Sequence, residues 1–267
     1  MPTIKELSSL KGRRALITGA AGRLGQVFAD PLAELGGDLI LVDLPGTELE
    51  GLANKVIKDW GVSVESIFCD LEHQDQRSDL IKRIATSQRN LNILVNNAAL
   101  VGTSEITGWS VPFEKQSIDT WRRATEVNLI AVFDLCQGFL PLMKNAPGAN
   151  IVNIASIYGS YGPDWSLYEN TNMGNPAAYA ATKGGLIQLT RWLATTIAPE
   201  IRANAISPGG VLNDQPKSFQ SRYELKTPMG RMASLDDFKG AMTFLSSDLS
   251  SYVTGHILEV NGGWGTW

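Results

Sequence analysis

The chain has 267 residues, of which 43% are hydrophobic, and its formal net charge is −4. This length and composition suit one α/β domain with a large core. Because the sequence contains no run of basic residues, we expect a small-molecule partner and neither nucleic acid nor a membrane. The first residues include no apolar signal region, and Cys69 and Cys136 lie in apolar segments. Both features predict a cytoplasmic protein with reduced thiols.

Short β-rich segments alternate with longer segments of helical periodicity along the chain. Strands are predicted at 13–18, 38–43, 64–69, 92–97, 149–156, 202–207 and 256–260. Helices are predicted near 24–36, 47–60, 73–88, 117–145, 176–198 and 234–247. This alternation is typical of an α/β fold in which helices cover a parallel sheet. We therefore expect a doubly wound, seven-stranded parallel sheet with helices on both faces.

A glycine-rich segment, TGAAGRLG at 18–25, lies between the first predicted strand and the first predicted helix. Glycines at such a junction let the backbone turn tightly and approach a pyrophosphate, which then lies at the helix N-terminus. Taken alone, a glycine-rich segment of this kind could also be an ordinary turn. The position between strand and helix favours a dinucleotide site.

The second predicted strand ends at Asp43, about twenty residues beyond the glycine-rich segment. A carboxylate there can accept hydrogen bonds from the adenosine ribose hydroxyls and repel a 2′-phosphate, so we expect NAD rather than NADP. The alternative is a solvated turn acid ahead of Pro45 and Gly46. Asp70 follows the third strand, where it either caps a helix or binds adenine.

Further motifs follow in a fixed order: NNAA at 96–99, Asn128 in EVNL, Ser156 in IVNIAS, YAATK at 179–183 and SPGG at 207–210. With the glycine-rich segment, this set resembles the short-chain dehydrogenase/reductase family, in its branch of about 250 residues. The resemblance covers nearly the whole chain. It implies a single NAD(P)-binding Rossmann domain over 1–267, an oxidoreductase activity, and assembly as a homodimer or homotetramer.

The resemblance also implies which residues form the site. The implied catalytic residues are Asn128, Ser156, Tyr179 and Lys183. The implied cofactor contacts are Gly19, Arg23, Leu24, Asp43, Asp70, Leu71, Asn97, Ala98, Tyr179, Lys183, Pro208, Gly209 and Val211. Two positions depart from the family pattern, because Arg23 and Ala99 each replace a usual glycine. A guanidinium near the ribose could accept a 2′-phosphate, so NADP remains an alternative to NAD.

The chemistry of the catalytic set follows from its side chains. Tyr179 and Lys183 are four residues apart on a predicted helix, so they share one face. An ammonium beside the phenol would lower the tyrosine pKa from its ordinary value of about 10. Ser156 ends a strand, where its hydroxyl can bind the substrate oxygen. By resemblance, Lys183 holds the nicotinamide ribose and Asn128 anchors a water that links Lys183 to solvent.

This set predicts hydride transfer between nicotinamide and a carbon that bears a hydroxyl or a carbonyl, with Tyr179 exchanging the proton. Two alternatives stay open: a 3-oxoacyl-thioester reductase that uses NADPH, and a non-catalytic cofactor-binding protein of the same fold. The first would favour a basic residue in place of Asp43, and the second a broken Ser-Tyr-Lys set. No metal site is predicted, because neither His73 nor His256 has a cluster of ligands around it.

Three segments are expected on the substrate side of the sheet: 100–117 with Trp109 and Phe113, 157–178, and a lid at 211–233. The polar and aromatic stretch within 157–178 suits a ligand with several hydroxyls, and Glu169 and Asn170 are its predicted substrate contacts. A solvated surface loop is the alternative for this stretch. The sequences YENTNM and SPGGVLNDQPKSF also resemble dehydrogenases of bacterial flagellin-modification and nonulosonate pathways, which implies a sugar or sugar phosphate.

Overall fold

The sheet of the protein is seen in a computed structural model that describes residues 1–101 and 106–267. Its strands are β1 Arg14–Thr18, β2 Asp38–Asp43, β3 Val64–Phe68, β4 Ile93–Asn96, β5 Asn150–Ile154, β6 Arg202–Pro208 and β7 Ile257–Val260. All neighbours are parallel, in the order β3-β2-β1-β4-β5-β6-β7. The chain reverses its direction of strand addition between β1 and β4. Ligands of open α/β sheets bind at such a point, beyond the carboxyl ends of the strands.

Helices cover both faces of the sheet, as predicted. They are α1 Ile4–Ser8, α2 Arg23–Glu34, α3 Leu49–Trp60, α4 Gln74–Thr86, α5 Ile118–Thr125, α6 Ala131–Met143, α7 Ala177–Thr196, α8 Lys217–Lys226 and α9 Lys239–Ser246. One core lies between the sheet and α2, α3 and α9, and the other between the sheet and α4, α6 and α7. Alternate residues of β1 face opposite cores, with Leu16 in one and Ile17 in the other. This is why the buried strands read as continuous apolar segments.

The predicted strands are confirmed, but three helical features differ from the prediction. Helix α1 was not predicted, although Thr3 and Glu6 form a capping box at its start. Helix α8 lies inside the segment expected to be a lid loop, and Phe219 and Tyr223 bury one face of it. The long helix predicted over 117–145 is interrupted by a π-helical turn at Glu126–Ile130.

Candidate active site

A cleft of about 950 Å³ opens at the carboxyl ends of the strands. Every predicted cofactor contact lines it: Gly19, Arg23, Leu24, Asp43, Asp70, Leu71, Asn97, Ala98, Tyr179, Lys183, Pro208, Gly209 and Val211. Ser156 lines it as well. The fold thus brings together residues from β1, β2, β3, β4, β5, β6 and α7 that are far apart in the sequence.

The glycine-rich segment forms a tight cradle between β1 and α2. Gly19 has a φ of +62°, and a Cβ there would lie 2.8 Å from the Cα of Ala98. A Cβ on Gly25 would lie 2.1 Å from the carbonyl oxygen of Gly19. The Asn97 amide holds the cradle from β4, donating to the carbonyl oxygens of Thr18 and Gly19 at 3.0 and 2.8 Å. Side chains at these two positions would collide with backbone atoms, so the glycines allow the tight turn at the N-terminus of α2, where an anion such as a pyrophosphate is favoured.

Asp43 lies at the edge of the same cradle, with its carboxylate in the cleft. One carboxylate oxygen accepts a hydrogen bond from the backbone N–H of Ala21 and the other from that of Leu44, both at 2.7 Å. The charge is therefore held at a fixed position. Arg23 turns elsewhere, because its Nη2 donates to the carbonyl oxygen of Leu212 in the lid segment at 2.7 Å. This hydrogen bond joins the cradle to the lid segment.

Asp70 does not cap α4, as one interpretation of the sequence expected, because the N-cap position of the helix lies three residues further along. Its carboxylate accepts a hydrogen bond from the backbone N–H of Glu72 at 2.9 Å, which shapes the turn before α4. The residue also lines the cleft, next to Leu71. A structural bond and a cofactor contact are compatible, because a carboxylate has further lone pairs to offer.

Tyr179 and Lys183 share one face of α7, as predicted, with the lysine Nζ 5.8 Å from the centre of the tyrosine ring. The ammonium donates to the carbonyl oxygen of Ile154 at 2.5 Å. Burial lowers the pKa of Lys183 to about 8. Burial also raises the pKa of Tyr179, against a smaller lowering by the Ser156 hydroxyl. The expected lowering of the tyrosine pKa by Lys183 is therefore wrong for this geometry, in which the ammonium bonds a carbonyl instead of the phenol.

Asn128 is the one predicted catalytic residue that does not line the cleft. It lies in the π-helical turn, almost fully buried. Its Oδ1 accepts from the backbone N–H of Leu100 at 2.7 Å, and its Nδ2 donates to the carbonyl oxygen of Leu100 and to Thr182 Oγ1. The side chain thus fixes the start of the segment after β4. A water held by Asn128 remains a prediction.

A second pocket of about 490 Å³ continues from the cleft. The hydroxyl-bearing side chains of Ser156 and Tyr179 line both cavities. The segment 157–178 contributes Tyr158, Tyr168, Asn172 and Asn175, and the lid contributes Val211, Gln215, Phe219, Tyr223 and Met232. Both segments therefore lie on the substrate side, as predicted.

The two individual substrate contacts that were predicted in 157–178 are wrong. Glu169 and Asn170 are exposed and line neither cavity. Trp109 is buried in a small cluster beside α5 and α7, and Phe113 is exposed on a separate turn. From 100–117 it is Leu100, Val101 and Ser110 that reach the cavities, while positions 102–105 lie outside the described residues.

Helix α8 is packed firmly onto the segment 157–178. Arg222 Nη1 donates to the carbonyl oxygen of Glu169 at 2.6 Å, and Lys226 pairs with Asp164. A series of aromatic rings runs through the contact, with successive centroids 5.6, 5.4, 6.0 and 4.6 Å apart. The rings belong to Trp165, Tyr168, Phe219, Tyr223 and Trp264. Of these rings, Tyr168, Phe219 and Tyr223 line the second pocket.

Tyr158, Asn175 and the aromatic residues of α8 line the second pocket but were not predicted from the sequence. The spacing of Phe219 and Tyr223, four residues apart after Pro216, is a usable signal for a short helix. Asn175 gave no such signal, because its place in the pocket depends on the path of the whole segment. Within residues 1–101 and 106–267, no group of three or more His, Cys, Asp or Glu side chains could hold a metal ion.

Comparison with known sequences places this site in a family. A family model described as enoyl-(acyl carrier protein) reductase matches residues 19–265. Trans-4-hydroxycyclohexanecarboxylate dehydrogenase of Sinomonas cyclohexanicum is 32% identical over 93% of this chain and 91% of its own. A 3-oxoacyl-(acyl-carrier-protein) reductase of Aquifex aeolicus is 29% identical over 95% and 98%. The post-translational flagellin modification protein A of Campylobacter coli is 27% identical over 96% and 99%.

Solved structures agree with this placement. A gluconate 5-dehydrogenase of Burkholderia cenocepacia, in complex with NADP and tartrate, has a TM-score of 0.86, 28% identity and coverage of 99% of this chain and 100% of its own. An NAD⁺-bound xylitol dehydrogenase has a TM-score of 0.83, 28% identity and coverage of 95% and 99%. From its fold, its dinucleotide cradle and these relatives, the chain belongs to the short-chain dehydrogenase/reductase family of NAD(P)-dependent oxidoreductases.

Proposed function

We propose that the protein uses NAD(H) to interconvert an alcohol and a carbonyl on a small substrate, with Ser156, Tyr179 and Lys183 carrying the chemistry. The supporting observation is the position of two hydroxyl groups. Ser156 and Tyr179 line both the cleft and the second pocket. A substrate oxygen in the pocket and a cofactor in the cleft therefore meet at these side chains.

The cleft fits a dinucleotide. The glycine cradle leaves room above the N-terminus of α2, where backbone N–H groups and the helix dipole favour an anion. Asp43 lies at the far side of the cradle, where ribose hydroxyls would find an acceptor. When bound, the nicotinamide supplies or accepts the hydride.

The protein side chains supply the proton and hold the oxygen. In reduction, the Tyr179 phenol donates its proton to the substrate oxygen as the carbonyl becomes an alcohol. In oxidation, the phenolate takes that proton back. The Ser156 hydroxyl donates a hydrogen bond to the same oxygen and stabilises the charge that develops on it. The buried Lys183 ammonium lies on the same face of α7 as Tyr179 and, as the family resemblance implies, would hold the nicotinamide ribose.

The pH dependence of the two directions should differ. Burial raises the Tyr179 pKa, so the phenol is present throughout the neutral range and the phenolate grows as pH rises. Alcohol oxidation should therefore rise with pH. The Lys183 pKa is about 8, so above that pH the ammonium that is expected to hold the nicotinamide ribose is lost. Carbonyl reduction, which gains nothing from the phenolate, should therefore fall above that pH. Initial rates in both directions would check this, and a reduction rate that stays level far above pH 8 would contradict the assignment of Lys183.

Asp43→Ala should relax the choice of cofactor. The variant loses both a ribose acceptor and the charge that repels a 2′-phosphate. A hydrogen bond to a charged group is worth about 1.5–3 kcal/mol, so NADH affinity should fall about tenfold or more while NADPH affinity holds or improves. Fluorescence titration of both cofactors measures the two dissociation constants. A wild-type protein that already binds NADPH more tightly than NADH would overturn the role given to Asp43.

The direct test of the proposal combines cofactor and substrate. The purified protein is titrated with NAD, NADH, NADP and NADPH, and then mixed with panels of alcohols and ketones while the nicotinamide absorbance is followed. We expect tight NADH binding and turnover of at least one ketone. Tight cofactor binding without any turnover would favour the non-catalytic alternative.

The thioester reductase is the weaker second candidate. It draws support from the similarity to the Aquifex aeolicus reductase. That reaction calls for NADPH and for basic surface toward an acidic carrier protein. Here an acid, Asp43, ends β2, and Arg222 and Lys226 of α8 are occupied by the segment 157–178.

We also propose that the protein assembles as a homodimer or homotetramer. Ile118, Trp121, Ile130 and Phe133 on the α5–α6 segment are exposed, as is Trp192 on α7. By length and composition alone, Ile118–Met143 could also span a membrane, but its inner residues pack in the core of the sheet. A second copy covering the exposed residues would bury them without a membrane.

Light scattering at micromolar concentration should therefore report at least a dimer. Phe133→Glu, which places a charge on the proposed interface, should shift the protein from the oligomer toward the monomer. Phe113→Glu, at another exposed phenylalanine, should leave the assembly unchanged. A monomeric wild-type protein would contradict this proposal.

A further inference from the structure

The second pocket contains no charged side chain among the described residues that line it. Its walls are mostly aromatic and apolar, and its polar side chains are neutral: Ser110, Ser156, Asn172, Asn175 and Gln215, with the tyrosine hydroxyls. The positions outside the described residues, 102–105, contain no lysine or arginine in the sequence. A carboxylate or phosphate placed inside the pocket would lack a cationic partner, which is costly.

The basic residues of the lid are engaged elsewhere. Lys217 donates to Gln220 at 3.1 Å, and Arg231 forms an ion pair with Asp237 at 2.6 Å. Arg222 and Lys226 bind the segment 157–178 at its outer side. The lid therefore directs its cations away from the pocket, and this counts against the sugar phosphate that the sequence resemblance implied.

Asn175 gives the pocket a specific polar feature. It is only 6% exposed, lines the pocket, and neither its Nδ2 nor its Oδ1 has a hydrogen-bond partner. Buried amides are normally paired, so this one is available to a ligand that can both donate and accept. A hydroxyl group has both capacities in one atom.

Two phenols lie beside the Asn175 amide. The hydroxyl oxygens of Tyr158 and Tyr168 are 2.5 Å apart, so one donates to the other and one hydrogen remains to be shared with a ligand. Burial raises the pKa of both phenols, so they stay protonated. Asn175 lowers the pKa of both phenols in part, which places its amide near the two hydroxyl groups, although no hydrogen bond of ordinary geometry joins them.

Building on the proposed function, we propose that the substrate is an uncharged ring alcohol or ring ketone with a second hydroxyl group, and that the Asn175 amide binds this second hydroxyl. The aromatic walls contact the ring, while Ser156 and Tyr179 hold the reacting oxygen. A pocket of about 490 Å³ has room for one or two fused rings.

Three matched ketones test the substrate class: cyclohexanone, 4-hydroxycyclohexanone and 4-oxocyclohexanecarboxylate. With NADH, kcat/KM for the hydroxy ketone should exceed that for cyclohexanone about tenfold, or about 1.4 kcal/mol, and the carboxylate should be poorest. Equal values, or a preference for the carboxylate, would overturn the proposal. If none of the three ketones is turned over, that result counts against the proposed function. The preference among the ketones is then measured by the shift in Tm that each one gives the NADH-loaded protein.

Asn175→Leu tests the amide itself. The ratio of kcat/KM for the hydroxy ketone to that for cyclohexanone should fall toward one, while Glu169→Ala, in the same segment but exposed, should keep the wild-type ratio. In the ligand-free protein, the leucine variant should have an equal or higher Tm, because it removes an unpaired buried amide. An unchanged ratio, or a drop of many degrees in Tm, would mark Asn175 as structural and overturn its assignment.

Discussion

Tyr179→Phe is expected to lower kcat by about 10²–10⁴-fold, the usual contribution of a positioned acid or base. The variant loses only the hydroxyl that exchanges a proton with the substrate oxygen. Its ring still fills the space beside Lys183. The dissociation constant for NADH, measured by fluorescence titration, should therefore change little.

Tyr252→Phe is the matched control, because Tyr252 is fully exposed and lines neither cavity. It should keep wild-type kcat and NADH affinity. Lys183→Ala should damage both properties, since it removes a buried ammonium from the cleft. A phenylalanine variant at 179 with a substantial fraction of wild-type activity would refute the role of Tyr179.

Gly25→Ala should disrupt cofactor binding and stability together. The new Cβ would meet the Gly19 carbonyl oxygen at 2.1 Å and the Ala20 Cα at 2.7 Å. These are backbone atoms of the cradle, so the segment must move to make room. Overpacking of this kind costs about 1–3 kcal/mol, and we expect a lower Tm and NADH affinity reduced about tenfold or more.

Gly240→Ala provides the comparison for that variant, because Gly240 also lies in a helix but has nothing within 4 Å of the new Cβ. This alanine should leave NADH affinity unchanged and raise the free energy of unfolding by up to about 1 kcal/mol. Wild-type NADH affinity in Gly25→Ala would show that the cradle is not the cofactor site.

The sheet and the cofactor cleft could be predicted from the sequence because the patterns that indicate them lie within short segments. Buried parallel strands such as β1 read as short apolar segments, and the cradle is defined by glycines within 18–25. Asp43 is the last residue of its strand, so its position at the cleft edge needs no distant contact to be predicted.

The wall of the second pocket was harder to predict because it is formed by tertiary contacts. The aromatic series joins the segment 157–178 to α8 and to Trp264, which lie far apart in the sequence. Glu169 has a polar side chain suited to a substrate. In the structure, however, the backbone carbonyl of Glu169 accepts a hydrogen bond from Arg222. The direction of the Lys183 ammonium was equally hidden, because it depends on the Ile154 carbonyl of β5.

The central claim is hydride transfer at the junction of the two cavities, and labelled cofactor tests it most directly. Wild-type protein and Tyr179→Phe are each incubated with a ketone panel and NADH in which both hydrogens at C4 of the nicotinamide are deuterium. Mass spectrometry of the alcohols should find deuterium on the carbinol carbon with wild-type protein and almost none with the variant. Absence of deuterium in every wild-type product, despite tight binding of NADH, would contradict the claim.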